Sequence, residues 1–145
     1  MGTANESADT APLTILSEEA VSSQIEDYPL TVFTFWETWC EPCASEMPLL
    51  NTIYESHPEV QVIGIFHSSP SEEVKDFIKK YDIHFPLMKD QNKTFHKKYK
   101  VQGYPTLVII DSEQNILHEA QGFQSEKETL DPIYALILKT SEKSL

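Results

Sequence analysis

Two cysteines stand close together in the chain, in the segment Cys40-Glu41-Pro42-Cys43. Two thiols at this spacing can form a disulfide reversibly and exchange it with other thiols. The pair follows an apolar, β-rich run, residues 30–36, and precedes a segment with helical periodicity. Because the unpaired N–H groups of a helix start stabilise a thiolate, we expect Cys40 to be the nucleophile and Cys43 its resolving partner.

Two other uses of a cysteine pair stay open, half of a zinc site and a structural disulfide. A zinc site needs about four ligands, whereas the histidines stand singly in the sequence, at His57, His67, His84, His96 and His118. A disulfide stabilises most when it closes a long loop, and this one would enclose only Glu41 and Pro42. Pro42 also suits a first helical turn, where a missing N–H has no cost. The pattern therefore favours redox chemistry and predicts no metal ligands.

Composition limits the classes of partner. The chain has 145 residues, enough for one domain with its own core, and a net charge of −12. All 11 basic residues are lysine, so no bidentate arginine clamp for phosphate exists. Nucleic acid and anionic membranes are thus excluded as expected partners. No apolar run approaches the roughly 20 residues that span a bilayer.

The first residues differ from the rest in composition. Residues 1–12 are small, polar and acidic, which predicts a flexible leader or a remnant of protein expression. We assign residues 13–145 to a single domain.

Apolar periodicity predicts alternating strands and helices. The expected strands are 13–16, 30–36, 60–66, 83–88, 107–111 and 116–121, and the expected helices start at Ser17, Cys40, Ser71, Thr94 and Ser125, the last running to Lys139. The turn 112–115 is too short for a crossover helix, so the final two strands must pair antiparallel. The fold class is α/β, a mixed sheet with helices on both faces and a β-α insertion before the hairpin.

Four segments carry a resemblance to a known family. They are the runs Phe35-Trp36-Glu37-Thr38-Trp39-Cys40-Glu41-Pro42-Cys43, Glu46-Met47-Pro48, Phe85-Pro86-Leu87 and Gly103-Tyr104-Pro105-Thr106. In these the chain resembles the thioredoxin superfamily, and more narrowly its extracytoplasmic ResA/TlpA-like thiol-disulfide oxidoreductases. The resemblance implies a thioredoxin fold from residue 13 onward.

The resemblance also implies how the site is built. Pro105 would be a cis proline facing the dithiol, and Tyr104 would offer backbone groups to an extended substrate segment. Substrates would dock along Trp39, Tyr104 and Pro105, with Gly103 leaving the backbone accessible. We expect packing for Trp36 and a surface position for Trp39.

Cofactor and partners follow from the same resemblance. No cofactor is required. The implied partners are protein disulfides or dithiols, including apocytochrome c, and a separate redox donor such as a membrane thiol carrier. The implied location is outside the bacterial cytoplasmic membrane, by export or a membrane anchor, and we expect a monomer.

The proton acceptor of the family is not evident in the sequence. The thioredoxin prototype has a buried aspartate six residues before its nucleophilic cysteine, and here that position is Thr34. Candidates by proximity are Glu41 and Glu46, with Glu37 and His67 less favoured. We expect these groups to be solvated charges or helix-dipole partners rather than catalytic bases.

The charge of Glu41 bears on the direction of electron transfer between the protein and its partner. A carboxylate beside Cys40 disfavours the thiolate and raises its pKa relative to an uncharged neighbour, which argues for a reductant. Three alternatives remain open: an oxidase on the same fold, a copper-binding or delivery module using Cys40, Cys43 and His67, and a catalytically silent binding module. The basic patch of Lys97, Lys98 and Lys100 is interpreted as a solvated face.

Overall fold

The structure is a computed structural model, and it describes residues 14–144, with side chains described up to residue 141. The expected leader, residues 1–12, lies outside the described residues and stays a prediction.

Strands and helices alternate along the described chain. The strands are β1 (Ile15–Leu16), β2 (Leu30–Phe35), β3 (Val60–Phe66), β4 (Leu87–Lys89), β5 (Thr106–Asp111) and β6 (Ile116–Gln121). The helices are α1 (Glu18–Gln24), α2 (Glu41–Ser56), α3 (Ser71–Tyr81), α4 (Thr94–Lys98) and α5 (Glu126–Ser144), and a short 3₁₀ turn, Ile25–Asp27, follows α1. As expected, Ser17 caps α1, because its side chain accepts a hydrogen bond from the Ala20 N–H.

All six strands belong to one mixed sheet with the order β1-β4-β3-β2-β5-β6. The strand β2 lies inside the sheet, where it pairs parallel with β3 and antiparallel with β5. Each of its residues is buried. The β5–β6 hairpin is antiparallel, as the short turn required. The predicted fold class is confirmed.

Helices cover both faces of the sheet, and each face has its own apolar cluster. One cluster joins α2, α3 and α5 to the sheet through residues such as Met47, Phe77 and Ile133. The other joins α1 and α4 to the opposite face through Val21 and Phe95. The strand β2 contributes to both clusters, so the end of β2, where the cysteines follow, is fixed from both sides.

Two predicted boundaries are wrong. The strand expected at 83–88 is only Leu87–Lys89, because Ile83 N–H instead bonds to the Ile78 carbonyl at the end of α3 and Asp82 adopts a left-handed conformation there. Ile83 and Phe85 pack into the core, and the Pro86 carbonyl accepts the Gly64 N–H of β3 just before β4 begins. The last helix continues past Lys139 to Ser144, the last described residue, since no glycine or proline follows Pro132 to stop it.

Candidate active site

The two cysteines lie at the junction of β2 and α2. Cys40 is the N-cap of α2, Cys43 lies in the first turn, and their sulfurs form a disulfide with the Cα atoms 5.3 Å apart. The Sγ atom of Cys40 also accepts the N–H of Cys43 at 3.3 Å. A sulfur at this point is close to the unpaired N–H groups of the helix start, which stabilise its thiolate.

The two sulfurs differ in access. Cys40 keeps 5% of its surface exposed, whereas Cys43 has none. Pro42 occupies the opening turn of α2, as its sequence position indicated. Cys40 also lines a surface cavity, whereas Cys43 does not. The order of nucleophile and resolving cysteine stays a prediction.

An aromatic rim stands beside the dithiol. The Tyr104–Pro105 peptide bond is cis, as the resemblance implied. The ring of Tyr104 contacts that of Trp39 edge-on, with 5.7 Å between centroids. Trp39 is 67% exposed, and a Cβ added to Gly103 would meet nothing within 4 Å. The structure thus brings the expected docking residues together around an open backbone segment.

Tyr104 is held by a buried pair that the sequence did not reveal. His96 Nε2 lies 2.8 Å from the Tyr104 hydroxyl, and His96 Nδ1 lies 2.6 Å from Asp90 Oδ2. Asp90 also accepts the N–H groups of Phe95 and His96. Burial raises the pKa of Tyr104 to about 12, and the charges of Glu37 and Asp90 act in the same direction. Tyr104 therefore stays a neutral phenol at any physiological pH.

Glu46 is buried, so its interpretation as a solvated charge is wrong. It is 2% exposed, and its Oε1 accepts a hydrogen bond of 2.6 Å from the hydroxyl of Thr34. Burial raises the pKa of Glu46 to about 7, while the Thr34 hydroxyl opposes part of this rise. Glu46 follows Cys43 by three residues in α2 and so lies on the same helix face. The structure places an ionisable carboxyl next to Thr34, the position of the prototype's aspartate.

Glu37 is also buried, and it too is not a solvated charge. It has no exposed surface, and its carboxylate accepts the N–H groups of His67, Ser68 and Ser69 and the Ser69 hydroxyl. These bonds tie the segment before Cys40 to the loop that follows β3. Its role is structural, and no pattern in the sequence indicated that the loop donors needed a buried acceptor.

Glu41 lies on the surface beside the nucleophile. It is exposed and lines a cavity of about 440 Å³ next to Cys40, together with Glu73 and Asp76. Lys80 lines the same cavity, so three carboxylates and one ammonium group give this side of the dithiol a net negative charge.

The described residues contain no group of three or more histidine, cysteine, aspartate or glutamate side chains arranged to hold a metal ion. His67 Nδ1 lies 2.8 Å from the Asp90 carbonyl. Over residues 14–144, no helix has the length and apolarity needed to cross a bilayer.

Comparison with known proteins agrees with this geometry. The model of the AhpC/TSA family matches residues 8–119. The chain belongs to the AhpC/TSA family. Relatives with similar sequences include the thiol-disulfide oxidoreductase ResA of Bacillus thuringiensis subsp. konkukian, 35% identical over 96 residues, which cover 65% of this chain and 56% of ResA. The thioredoxin-like protein YneN of Bacillus subtilis is 32% identical over 120 residues, covering 80% of this chain and 70% of YneN.

Among solved structures, StoA from Bacillus subtilis is 25% identical with a TM-score of 0.62, covering 72% of this chain and 81% of StoA. The recognition of a thioredoxin-like, ResA-type chain is thereby confirmed. The matched region spans little more than half the length of the ResA relative, 56%.

Proposed function

We propose that this AhpC/TSA-family chain is a thiol-disulfide oxidoreductase that exchanges disulfides with protein partners. The observation that carries the proposal is the disulfide at the start of α2, in which Cys40 lines a surface cavity and Cys43 is fully buried. Relatives named thiol-disulfide oxidoreductase support the same chemistry. The chain's own residues suffice for the reaction, so no cofactor takes part.

The reduced protein acts in two steps. The Cys40 thiolate attacks one sulfur of a partner's disulfide, which breaks that bond and releases the other sulfur as a thiolate. Cys43 then loses its proton and attacks Cys40 Sγ, so that the partner leaves as a dithiol and the Cys40–Cys43 disulfide forms. Two electrons pass to the partner, and a separate dithiol donor restores the reduced state.

Glu46 is our candidate for the group that receives the Cys43 proton. The buried carboxyl has a pKa of about 7, so it is partly ionised at neutral pH and can accept a proton and later return it. Its position one helical turn beyond Cys43 and its bond to Thr34 support this role. The aromatic pair Trp39 and Tyr104, with Gly103 and Pro105, would hold the extended partner segment.

The direction we propose is reduction of the partner. The charge of Glu41 opposes a stable Cys40 thiolate, and a stable thiolate is what a strong oxidant requires. By family resemblance we place the protein outside the bacterial cytoplasmic membrane, anchored or exported. There it would act on proteins such as apocytochrome c and be re-reduced by a membrane thiol carrier.

A redox titration against glutathione, combined with partner trapping, tests the proposal. We expect a potential closer to about −270 mV than to about −120 mV, the values typical of reducing and oxidising members of this fold. A Cys43→Ser variant should accumulate mixed disulfides with partner proteins, since nothing resolves them. The matched control, Cys40→Ser, should trap none. A potential near the oxidising value would show that the protein oxidises its partners. Equal trapping by both variants would contradict the assignment of Cys40 as the nucleophile and Cys43 as the resolving cysteine.

A further inference from the structure

Five of the eleven lysines of this acidic chain lie between residues 89 and 100. Three of them, Lys93, Lys97 and Lys100, line one cavity of about 490 Å³, together with the segment 101–104. We call this cavity the lysine pocket. The three lysines are exposed, so the pocket is a positively charged surface in a chain whose net charge is −12.

The positive charge of the lysine pocket is not neutralised from within. Among the side chains described, residues 14–141, the hydrogen bonds and ion pairs of lysines to other side chains involve Lys75, Lys98 and Lys127, and none joins the three lysines of the pocket to an acidic group. The nearby carboxylate of Asp90 is 2% exposed, and its oxygens are already engaged by two backbone N–H groups and the His96 ring. The lysines are therefore available to a charged ligand from outside.

Backbone conformation makes the choice of lysine notable. Lys93 and Lys100 flank α4 with φ angles of 58° and 55°. Residues with a Cβ pay a steric cost in this region, which glycine avoids and asparagine tolerates best. Lysine nevertheless occupies both positions beside α4. Both lysines line the same cavity.

The lysine pocket adjoins the docking residues. Tyr104 lines the pocket, and its ring contacts that of Trp39, the neighbour of Cys40. The His96 bond to the Tyr104 hydroxyl fixes this rim to α4. The cavity beside Cys40 has three carboxylates and one lysine in its lining, so its net charge is negative instead: Glu41, Glu73, Asp76 and Lys80. The surface around the dithiol thus carries opposite charges in its two cavities.

We propose that the lysine pocket docks an acidic stretch of the partner protein, next to the partner's reactive cysteine in sequence. The ligand chemistry is a run of Asp or Glu carboxylates, paired with the three ammonium groups while the adjoining segment lies along Gly103 and Tyr104. This inference rests on the proposed exchange with protein disulfides and specifies which partners are favoured.

The test compares two peptides with the same disulfide, one flanked by four acidic residues and the other by serine and glutamine. The measured quantity is the second-order rate constant with which the pre-reduced protein, in a single turnover, reduces the acidic peptide, divided by that for the neutral peptide, at low salt. The pocket variant is Lys93→Gln/Lys97→Gln/Lys100→Gln. The matched control, Lys75→Gln/Lys79→Gln/Lys139→Gln, makes the same change in net charge at exposed sites that do not line the lysine pocket.

For the wild-type protein we expect a ratio above one, despite the net negative charge, that declines as salt is added. In the pocket variant the ratio should fall at least fivefold, and in the control it should change by less than twofold. A ratio unchanged in the pocket variant, or lowered equally in the control, overturns the docking site while leaving the exchange reaction standing. If the wild-type protein exchanges neither peptide, the proposed function itself fails and the docking site with it.

Discussion

Glu46 reaches, from α2, the position that a buried aspartate holds on the strand of the thioredoxin prototype. The sequence has no carboxylate at position 34, yet the side chain of Glu46 reaches the Thr34 hydroxyl from α2. Burial makes a carboxyl costly to ionise, and for this reason the pKa of Glu46 is raised to about 7. The protein therefore holds, beside the helix face of Cys43, a group that changes its protonation near neutral pH.

The titration of Glu46 should appear in the stability of the fold. Its pKa rises from 4.5 to about 7 on folding, so the folded state binds more protons than the unfolded state between these values. The free energy of unfolding must then fall as pH rises from about 4.5 to 7, by roughly 3 kcal/mol in total. In Glu46→Gln this fall should disappear. Urea denaturation of the oxidised protein from pH 4 to pH 8 measures it.

The control for that experiment is Glu41→Gln, which removes an exposed carboxylate from the same helix. Its unfolding free energy should differ from the wild-type value by a nearly constant amount across the range. If Glu46→Gln kept the full wild-type pH dependence, the carboxyl would not be the group that titrates near neutral pH.

Glu41 makes a separate prediction about the redox potential. Replacing it with glutamine removes a negative charge beside Cys40, which favours the thiolate and hence the reduced form. The potential should rise, by up to about 20 mV for an exposed charge worth up to about 1 kcal/mol. Equilibration with glutathione measures the shift. Glu19→Gln, an exposed change on α1, should leave the potential unaltered, and an equal rise there would assign the effect to net charge alone.

At this scale the sequence identified the reactive residues but not their supports. Cys40, Cys43 and Pro42 could be placed because a thiol pair, a proline and a helix start each have local rules. Glu37 could not, since its partners lie in a loop about thirty residues further along the chain. Asp90 and His96 are only six residues apart, but no pattern in the sequence indicated that both are buried and that His96 reaches Tyr104. The buried state of Glu46 was missed for the same reason, because helical periodicity alone did not distinguish a solvent-facing position from one facing Thr34.

At the scale of elements, β2 and β3 fix the dithiol by close packing. Gly64 of β3 faces Trp36, the residue that follows β2. A Cβ at position 64 would lie 2.8 Å from Leu87 Cδ2, 3.0 Å from Trp36 Nε1 and 3.1 Å from Phe85 Cε1. The absence of a side chain at Gly64 is thus what allows the Trp36 ring to pack over β3.

Gly64→Ala should therefore destabilise the protein. The added methyl group must displace two large buried rings and a leucine, and such overpacking costs about 1–3 kcal/mol. Chemical denaturation of the oxidised form gives the value. Gly103→Ala serves as the matched change, since open space surrounds that position, and it should alter stability by less than about 1 kcal/mol. Equal effects of the two substitutions would contradict the packing argument.

Elements were predictable where one pattern dominated locally. The strands β2 and β3 are continuous apolar runs, and their bounds agree with the sequence to within one residue. The prediction of β4 was wrong because Ile83 and Phe85 pack into the core and are not part of the strand. Apolar content alone cannot distinguish these two positions. Helix α4 was placed correctly, but its function as the support of Tyr104 depends on the buried Asp90–His96 pair.

At the scale of the whole molecule, redox state and folding stability are linked. The disulfide and the dithiol can each be folded or unfolded, and the four states form a closed cycle. Subtract the unfolding free energy of the reduced form from that of the oxidised form. The result equals the potential of the unfolded dithiol minus that of the folded dithiol, converted to free energy for a two-electron couple. Each 30 mV by which the folded potential is more negative stabilises the oxidised fold by about 1.4 kcal/mol relative to the reduced fold.

The proposed reductant must then be more stable when oxidised than when reduced. This order holds when the folded potential, proposed to lie near about −270 mV, is below the potential of an unstructured dithiol of the same sequence. Urea midpoints of the oxidised protein and of the protein held in excess reductant, at one pH, compare the two forms. A short peptide containing residues 37–46 supplies the unfolded potential for the same cycle. A reduced form with the higher midpoint would mark an oxidant, because a strong oxidant owes its potential to a stabilised dithiol state.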